Sequence, residues 1–299
     1  MIAQTDSAPA LTPTIAIRQN TFDPSVAGSS QLCLELSPDR FRFCVMNTDG
    51  PQPDCFWLED YAFPTLLNDN PLLSSLKSIY ENHPVLQTRE WKRVRVSVNT
   101  PYFTLIPSVL YRKEYAAQYL RLMQGSALPA GQQTQTYVHA DENFHSVFSL
   151  ETPLVDWLRA TYPLQEMDLM HQTSALIRAT AGRQPQADLL LYFENEYVTI
   201  VDREKGSLKF CNKFAYKNAS DLTYYVLYVL NELQLDPAKA PVVLFGEITP
   251  FSDTYISLDR FVTNLSFGAT PQAIRFSPDF SELPDHRYVS LFGLGLFDV

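Results

Sequence analysis

Residues 31–47, QLCLELSPDRFRFCVMN, decide the fold. With Pro38-Asp39 at the centre of a tight turn, Leu36 falls opposite Phe41, Leu34 opposite Phe43 and Leu32 opposite Val45. The other face then pairs Glu35 with Arg42 and Cys33 with Cys44. Three apolar pairs and one opposite-charge pair agree on a single register. A one-residue slip would turn one strand's apolar set away from its partner's. The stretch therefore predicts an antiparallel hairpin. Downstream, after the turn-rich Thr48–Pro53, Asp54–Ala62 reads as a third strand. Asn70 as N-cap and Pro71 at the first helical position open a helix, whose apolar face is Leu72, Leu73, Leu76, Ile79 and Tyr80. Arg93–Val98 alternates as a strand. The block is β-β-β-α-β.

The same pattern returns later. Ala187–Phe193, Tyr197–Val201 and Ser207–Phe214 read as three strands. Asn218 or Ser220 caps a long helix with Leu222, Tyr225, Val226, Val229, Leu230 and Leu233 on one face. Pro237 ends it, and Pro241–Gly246 is the next strand. The two blocks share pattern, not wording. Between them lie a helix (Lys113–Gln124), a Gly/Gln-rich loop (Gly125–Gln135) and strands near Thr136–Ala140 and His145–Leu150. A helix from Thr152-Pro153, a strand Glu166–His171 and a helix capped by Thr173 through Ala181 follow. Past Gly246 the reading is a helix Ser252–Leu265, a short strand near Gly268, a Pro-rich loop and a final strand Arg287–Phe297. Residues 1–30, rich in Ser, Thr, Pro and Ala, read as a flexible segment in which order sets in near Ile15–Phe22. This divides the chain into a first half (31–150) and a second half (151–299), with an exchange of terminal elements between halves left open.

Composition narrows function. The 299 residues include only 10 Gly against 21 Pro, where ordinary usage is roughly 7% and 5%. No two Gly are adjacent, and neither G-x-G-x-x-G nor G-x-x-x-x-G-K-[ST] occurs, so Rossmann and P-loop fingerprints are absent. Gly293 and Gly295 form a lone G-x-G, read as a strand with a close backbone contact. No G-x-S-x-G is present either. A hydrophobic share of 45% suits a sizeable core. A net charge of -10 disfavours nucleic acid, which needs Lys and Arg to displace counterions, and also anionic membrane surfaces. No apolar run reaches the ~18 residues of a membrane span. Met1–Asn20 lacks a basic n-region and a long apolar stretch, so no export signal is expected. Four Cys and no such signal point to reduced thiols in the cytoplasm.

Two β-β-β-α-β halves joined by further α/β elements resemble the actin/hexokinase/Hsp70 superfamily, whose halves are ribonuclease H-like mixed α/β units. The middle stretch MDLMHQTSALIRAT, residues 167–180, is similar to the actin-like proteins of type IV pilus assembly and type II secretion. In wording, LCLELSPDRFRFCVMNTD (32–49) and LLLYFENEYVTIVDREKGSLKF (189–210) resemble the bacterial domain-of-unknown-function family 3822. The superfamily resemblance implies three nucleotide turns, and this chain departs from each. Glu35 stands where an Asp would help hold Mg²⁺, Ser37 stands where a Gly would be, and Pro38 removes a backbone N–H. In the second turn Tyr192 replaces the Asp of Asp-x-Gly and Glu194 lies on the phosphate side. The adenosine-side Gly-Gly pair keeps Gly246 but has Glu247 second. Two added carboxylates repel a triphosphate, so the resemblance implies the fold without ATP or another cofactor.

These departures favour a non-catalytic interaction or scaffold protein. The alternative is a divergent ligand-binding protein or enzyme using the cleft between halves, with Ser37, Asp39, Glu194, Gly246 and Glu247 as the candidate residues. Tyr192 and Phe245 filling that cleft would count against the alternative. Glu35 reads as a relic metal ligand or as the cross-strand partner of Arg42, and the hairpin register favours the pair. Cys33 and Cys44 read as buried thiols rather than a disulfide. His139, Asp141, Glu142 and His145 have no metal-ligand spacing and read as a solvated loop, so no metal is expected. Tyr224 and Tyr228 form a second stripe on the long helix. It is either packed against the sheet's neighbours or a protein-binding surface, including a homodimer contact.

Overall fold

The computed structural model describes residues 11–19, 23–63, 71–181 and 189–297. Order begins before the hairpin. β1 (Ile15–Arg18) pairs antiparallel with the strand 54–62, and Arg18 reaches Glu59 at 2.8 Å. β2 (Ser30–Ser37) and β3 (Arg40–Asn47) form the predicted hairpin, with Leu36 opposite Phe41, Glu35 opposite Arg42 and Cys33 opposite Cys44. β4 (Asp54–Ala62), α1 (Pro71–Asn82), a short α2 (Pro84–Gln87) and β5 (Arg93–Val98) complete the first block. Asn70, the expected cap of α1, lies outside the described residues.

The insert is a separate small sheet. β6 (Phe103–Pro107) has no counterpart in the sequence reading, and α3 (Ala116–Gln124) follows a 3₁₀ turn, Lys113–Tyr115. β7 (Gln132–His139) starts inside the stretch read as a Gly/Gln-rich loop, because pairing with β8 (Phe144–Glu151) carries Gln132–Gln135 along. The order is β6-β8-β7. α4 (Thr152–Thr161) and β9 (Met167–His171) come next, and β9 adds parallel to β5, so elements beyond residue 150 complete the first sheet. α5 (Gln172–Thr180) is capped by His171, whose Nδ1 accepts the Thr173 amide, and not by Thr173 as expected.

The second block repeats the first. β10 (Leu189–Phe193), β11 (Tyr197–Glu204), β12 (Ser207–Ala215), α6 (Ala219–Glu232) and β13 (Val242–Gly246) run in the predicted order, with Asn218 capping α6. α7 (Asp253–Asp259) stops well short of Leu265, which instead starts β14 (Leu265–Phe267). β15 (Arg275–Phe276) returns to β4 in the first sheet. The expected final strand 287–297 is wrong. Val289–Gly293 is a helix, α8, and Leu294–Leu296 continues it as a 3₁₀ turn. The run is apolar on every side, so no period separates buried helix from buried strand. The close backbone contact read into the two glycines holds at Gly293, while Gly295 lies against the Met46 side chain. A Cβ on Gly293 would lie 2.3 Å from the Ala175 carbonyl oxygen, so α8 rests directly on the backbone of α5.

The result is layered. The first sheet is β1-β4-β3-β2-β5-β9 and the second is β12-β11-β10-β13-β14. Leu32, Leu34, Leu36, Phe41, Phe43 and Val45 face α1, α2 and α4. The opposite face, with Cys33, Cys44 and Met46, meets α5 and α8. Those two helices touch the second sheet on their other side through Leu176, Ile177 and Val289 against Tyr192 and Phe245. α6 and α7 cover the far face of that sheet. Glu35 and Arg42 alternate onto the inner face of the first sheet, and this alternation positions the site.

Candidate functional site

Three turns meet at the ends of β2, β10 and β13. Asn195, after β10, donates from Nδ2 to Asp39 Oδ2 at 2.9 Å, which links the first turn of one half to that of the other. Glu247 follows β13 and reaches back to β3. Gly246 sits at φ 86°, and a Cβ there would lie 2.2 Å from the Phe193 carbonyl oxygen. Only glycine suits both the conformation and the space. The Glu247 amide then donates to that same carbonyl at 2.8 Å, which aims the Glu247 side chain across the joint. Ser37 is buried at the end of β2 and, among the described residues, makes no side-chain hydrogen bond to the other four candidates.

Glu247 is gripped by three guanidinium groups. Arg40 Nη1 donates at 2.9 Å, Arg287 Nη2 at 3.3 Å, and Arg42 Nη2 makes a close contact to the same carboxylate. Arg42 also donates from Nη1 to Glu35 at 3.1 Å and from Nε to Asp60 at 3.2 Å. Arg40 and the Tyr288 hydroxyl complete the shell of Asp60 at 3.1 and 3.0 Å. Three arginines thus face three carboxylates, and charge is balanced inside the joint. Burial raises the Glu35 carboxyl above its usual range against the pull of Arg42. Burial also works against the Arg42 charge, but Tyr192, Glu35, Asp60 and Glu247 outweigh it and hold the proton firmly. The cross-strand reading of Glu35 therefore stands.

Glu194 is held in a second knot. Its Oε1 accepts from Asn99 Nδ2 at 2.7 Å and from Gln172 Nε2 at 2.9 Å, while Lys213 Nζ pairs with Oε2. Lys213 also contacts Asn99 Oδ1 and lies over the Tyr197 ring at 4.9 Å. Asn99 belongs to the first half and Lys213 to β12, so this knot too spans the joint. Between the knots the cleft floor is filled. Tyr192 and Phe245 are fully buried, and the Tyr192 hydroxyl shares a 2.7 Å hydrogen bond with Ser290 of α8. Burial raises the Tyr192 phenol well above its usual range.

A polar groove of about 580 Å³ remains open beside the joint, lined among others by Glu194, Asn195, Asn218, Ser220, Glu247 and Asp253. Among the described residues, Lys217 is the one basic side chain in its lining. Sequence reading missed the cations of the site: Arg40, Arg287 and Lys213, with Asn99 and Gln172. The alternation of Arg40 with Arg42, which puts both on one strand face, was the local signal available. The others come from distant elements.

The remaining candidates separate. His139 pairs with Ser174, His145 with Ser108 and Glu142 with Arg203, so the 139–145 cluster does not converge. Among the described residues no group of three or more His, Cys, Asp or Glu is placed to hold a metal ion. All four cysteines are free, and burial pushes the Cys44 thiol well up. Tyr224 and Tyr228 do not pack inward. They are exposed and stack at 6.3 Å.

Residues 19–265 match the family described as "Protein of unknown function (DUF3822)". The chain belongs to this family. No curated protein matches it. Among solved structures, a Bacteroides thetaiotaomicron protein with an actin-like ATPase fold and unknown function superposes on this DUF3822 chain with a TM-score of 0.77 at 19% identity, covering 92% of this chain and 99% of that one. The PilM–PilN type IV pilus biogenesis complex gives 0.57 at 14% identity, with 89% and 97% covered. The cytoplasmic domain of EpsL, from the type II secretion system of Vibrio cholerae, gives 0.46 at 12% identity, with 90% and 95% covered. The DUF3822 chain has the actin-like ATPase fold. No helix among its described residues is long and apolar enough to cross a membrane.

Proposed function

We propose that this chain is a non-catalytic actin-like-fold protein that acts through contacts with other proteins in the cytoplasm. The observation that carries the reading is that Glu194 and Glu247, at two turns where the fold would hold nucleotide, are each neutralised by cations of the same chain. A triphosphate entering there would have to pull these cations from their carboxylates, and each carboxylate so exposed would repel a unit charge at 4 Å by about 4 kcal/mol at an effective dielectric near 20. The cations that could offset this are already committed to ion pairs that tie the halves together. The free thiols, with Cys33 directly opposite Cys44, fit a reducing compartment. A binding role is supported by the fold it shares with PilM, whose structure is that of a complex with PilN.

The test is titration of Mg²⁺-ATP, followed by calorimetry and by thermal melting. A ligand present at about 100 times its Kd would add about 2.7 kcal/mol and raise the melting temperature by several degrees. The expected result is no heat and no shift, and micromolar binding overturns the reading. The open polar groove supports a second reading, a small cationic ligand held against Asp253 and the polar side chains of Asn195, Asn218 and Ser220. Titrating spermidine in the same calorimeter separates the two.

A further inference from the structure

Packing leaves two stripes of apolar side chains in water, on different sheets and with opposite charge. The first runs along α3. Leu120 turns into the core, while Tyr115, Tyr119, Leu122 and Met123 follow one another on the adjoining side at i, i+4, i+7 and i+8. The Tyr119 hydroxyl donates to the Leu110 carbonyl at 2.8 Å and accepts the Arg112 amide at 2.9 Å, which fixes the turn after β6 against the helix. Leu110 and Leu122 are 65% and 85% exposed. α3 carries Arg121 and no acid, and Arg112 and Lys113 precede it beside the single acid Glu114. Among the described residues none of these three cations is in an ion pair, in a chain whose net charge is -10.

The second stripe is on α6. Tyr224 and Tyr228, 64% and 50% exposed, lie between Asp221, one turn before, and Glu232, one turn after. α6 contains no Lys or Arg. Side chains this apolar, grouped and bare, mark an interaction surface.

We infer that the two stripes are the two sides of one head-to-tail contact, with α3 of one copy seated on α6 of the next. Charge names the occupant. A basic apolar stripe fits an acidic tyrosine stripe, whereas α3 on α3 or α6 on α6 would set like charges together. Each chain presents both stripes, so a head-to-tail contact leaves one stripe open for the next copy and propagates into a ring or an open chain, whereas two copies exchanging both stripes about a two-fold axis would cap the wild type at a dimer and overturn the head-to-tail arrangement. The inference deepens the protein-contact reading by naming a partner, a second copy. It leaves the closed-cleft reading to the nucleotide titration, since neither stripe lines the joint.

The test is sedimentation velocity on the full chain up to about 1 mM, a range that covers weak contacts. Wild type should grow in mass with concentration. Raising ionic strength from about 0.1 M to about 1 M shortens the screening length from about 10 Å to about 3 Å and should weaken the association about tenfold. Leu122→Glu and Tyr228→Lys should each be monomeric. Their equimolar mixture should form a dimer and stop, because one variant keeps a sound α6 and the other a sound α3. A two-fold contact through α6 would instead leave Leu122→Glu associating and give no mixed dimer. The inference is overturned by that pattern, by a wild type that stays monomeric, or by a stripe that binds another protein or a vesicle while the chain remains monomeric. Circular dichroism checks folding, and Met123→Glu with Tyr224→Lys replace the pair if either variant unfolds.

Discussion

Arg42→Leu is the sharpest probe of the joint. Arg42 is 4% exposed and touches three carboxylates. Without it Asp60 keeps Arg40 and Tyr288, and Glu247 keeps Arg40 and Arg287. Glu35 loses its only ion-pair partner among the described residues while staying 1% exposed. Stranding a buried charge costs roughly 3–5 kcal/mol. At this chain size that lowers the melting temperature by roughly 5–8 °C. The loss should depend on pH in one direction. Burial already raises the folded Glu35 carboxyl above its ordinary 4.5, so its contribution is most favourable below that value and is lost as pH rises through the folded pKa. Removing Arg42 raises that pKa further, so the variant should be hurt less at about pH 5 than at about pH 8. Urea denaturation at both values measures it. Adding Glu35→Gln should recover about 1–3 kcal/mol relative to the sum of the single changes. A pH-independent cost, or strict additivity, would refute the claim that Glu35 and Arg42 act as one buried unit.

Two further perturbations test the placement of the turns and the inner face. Gly246→Ala puts a Cβ 2.2 Å from the Phe193 carbonyl at φ 86°, so it should cost about 2 kcal/mol or more, and an unchanged urea midpoint would show that the turn is not fixed by this glycine. Cys33, Cys44 and Cys55 are fully buried, and the half-buried Cys211 thiol is pushed up to about 12 by burial, so Ellman's reagent should find no fast thiol until urea exposes all four. Rapid labelling of the native chain would sink that account.

Some of this was legible in the sequence because the information was local. The hairpin register follows from pairs a few residues apart, the strand 54–62 was readable from the turn-rich stretch before it, and 93–98 from its alternation. Glu35–Arg42 fell out of that register. The rest of the network did not, because Arg42 and Glu247 are brought together by an entire second half, and Lys213 and Asn99 by two different sheets. The C-terminal run failed for another reason. LFGLGLF is apolar on all sides, and two glycines lower helix propensity, so propensity pointed away from the helix that packing imposes. What overrode it is Gly293, whose missing side chain lets α8 lie on α5.

That helix helps fill the floor of the joint. α8 and the residue before it carry Tyr288 to Asp60 and Ser290 to Tyr192, and Arg287 one step earlier reaches Glu247. Three contacts of the cleft therefore come from one short segment whose seat depends on a glycine. Buried ion pairs of this kind are weak sources of net stability, since well-packed apolar groups often replace them at no loss. What they add is direction. A carboxylate held by three guanidinium groups from two elements fits one placement of the two halves, where an apolar joint would tolerate sliding. Side chains of both halves fill the floor between them, and their contacts run from β3 to the turn after β13 and from Asn99 to β12. If the two exposed stripes on α3 and α6 are the two sides of one contact, such a fixed frame sets the angle between successive copies.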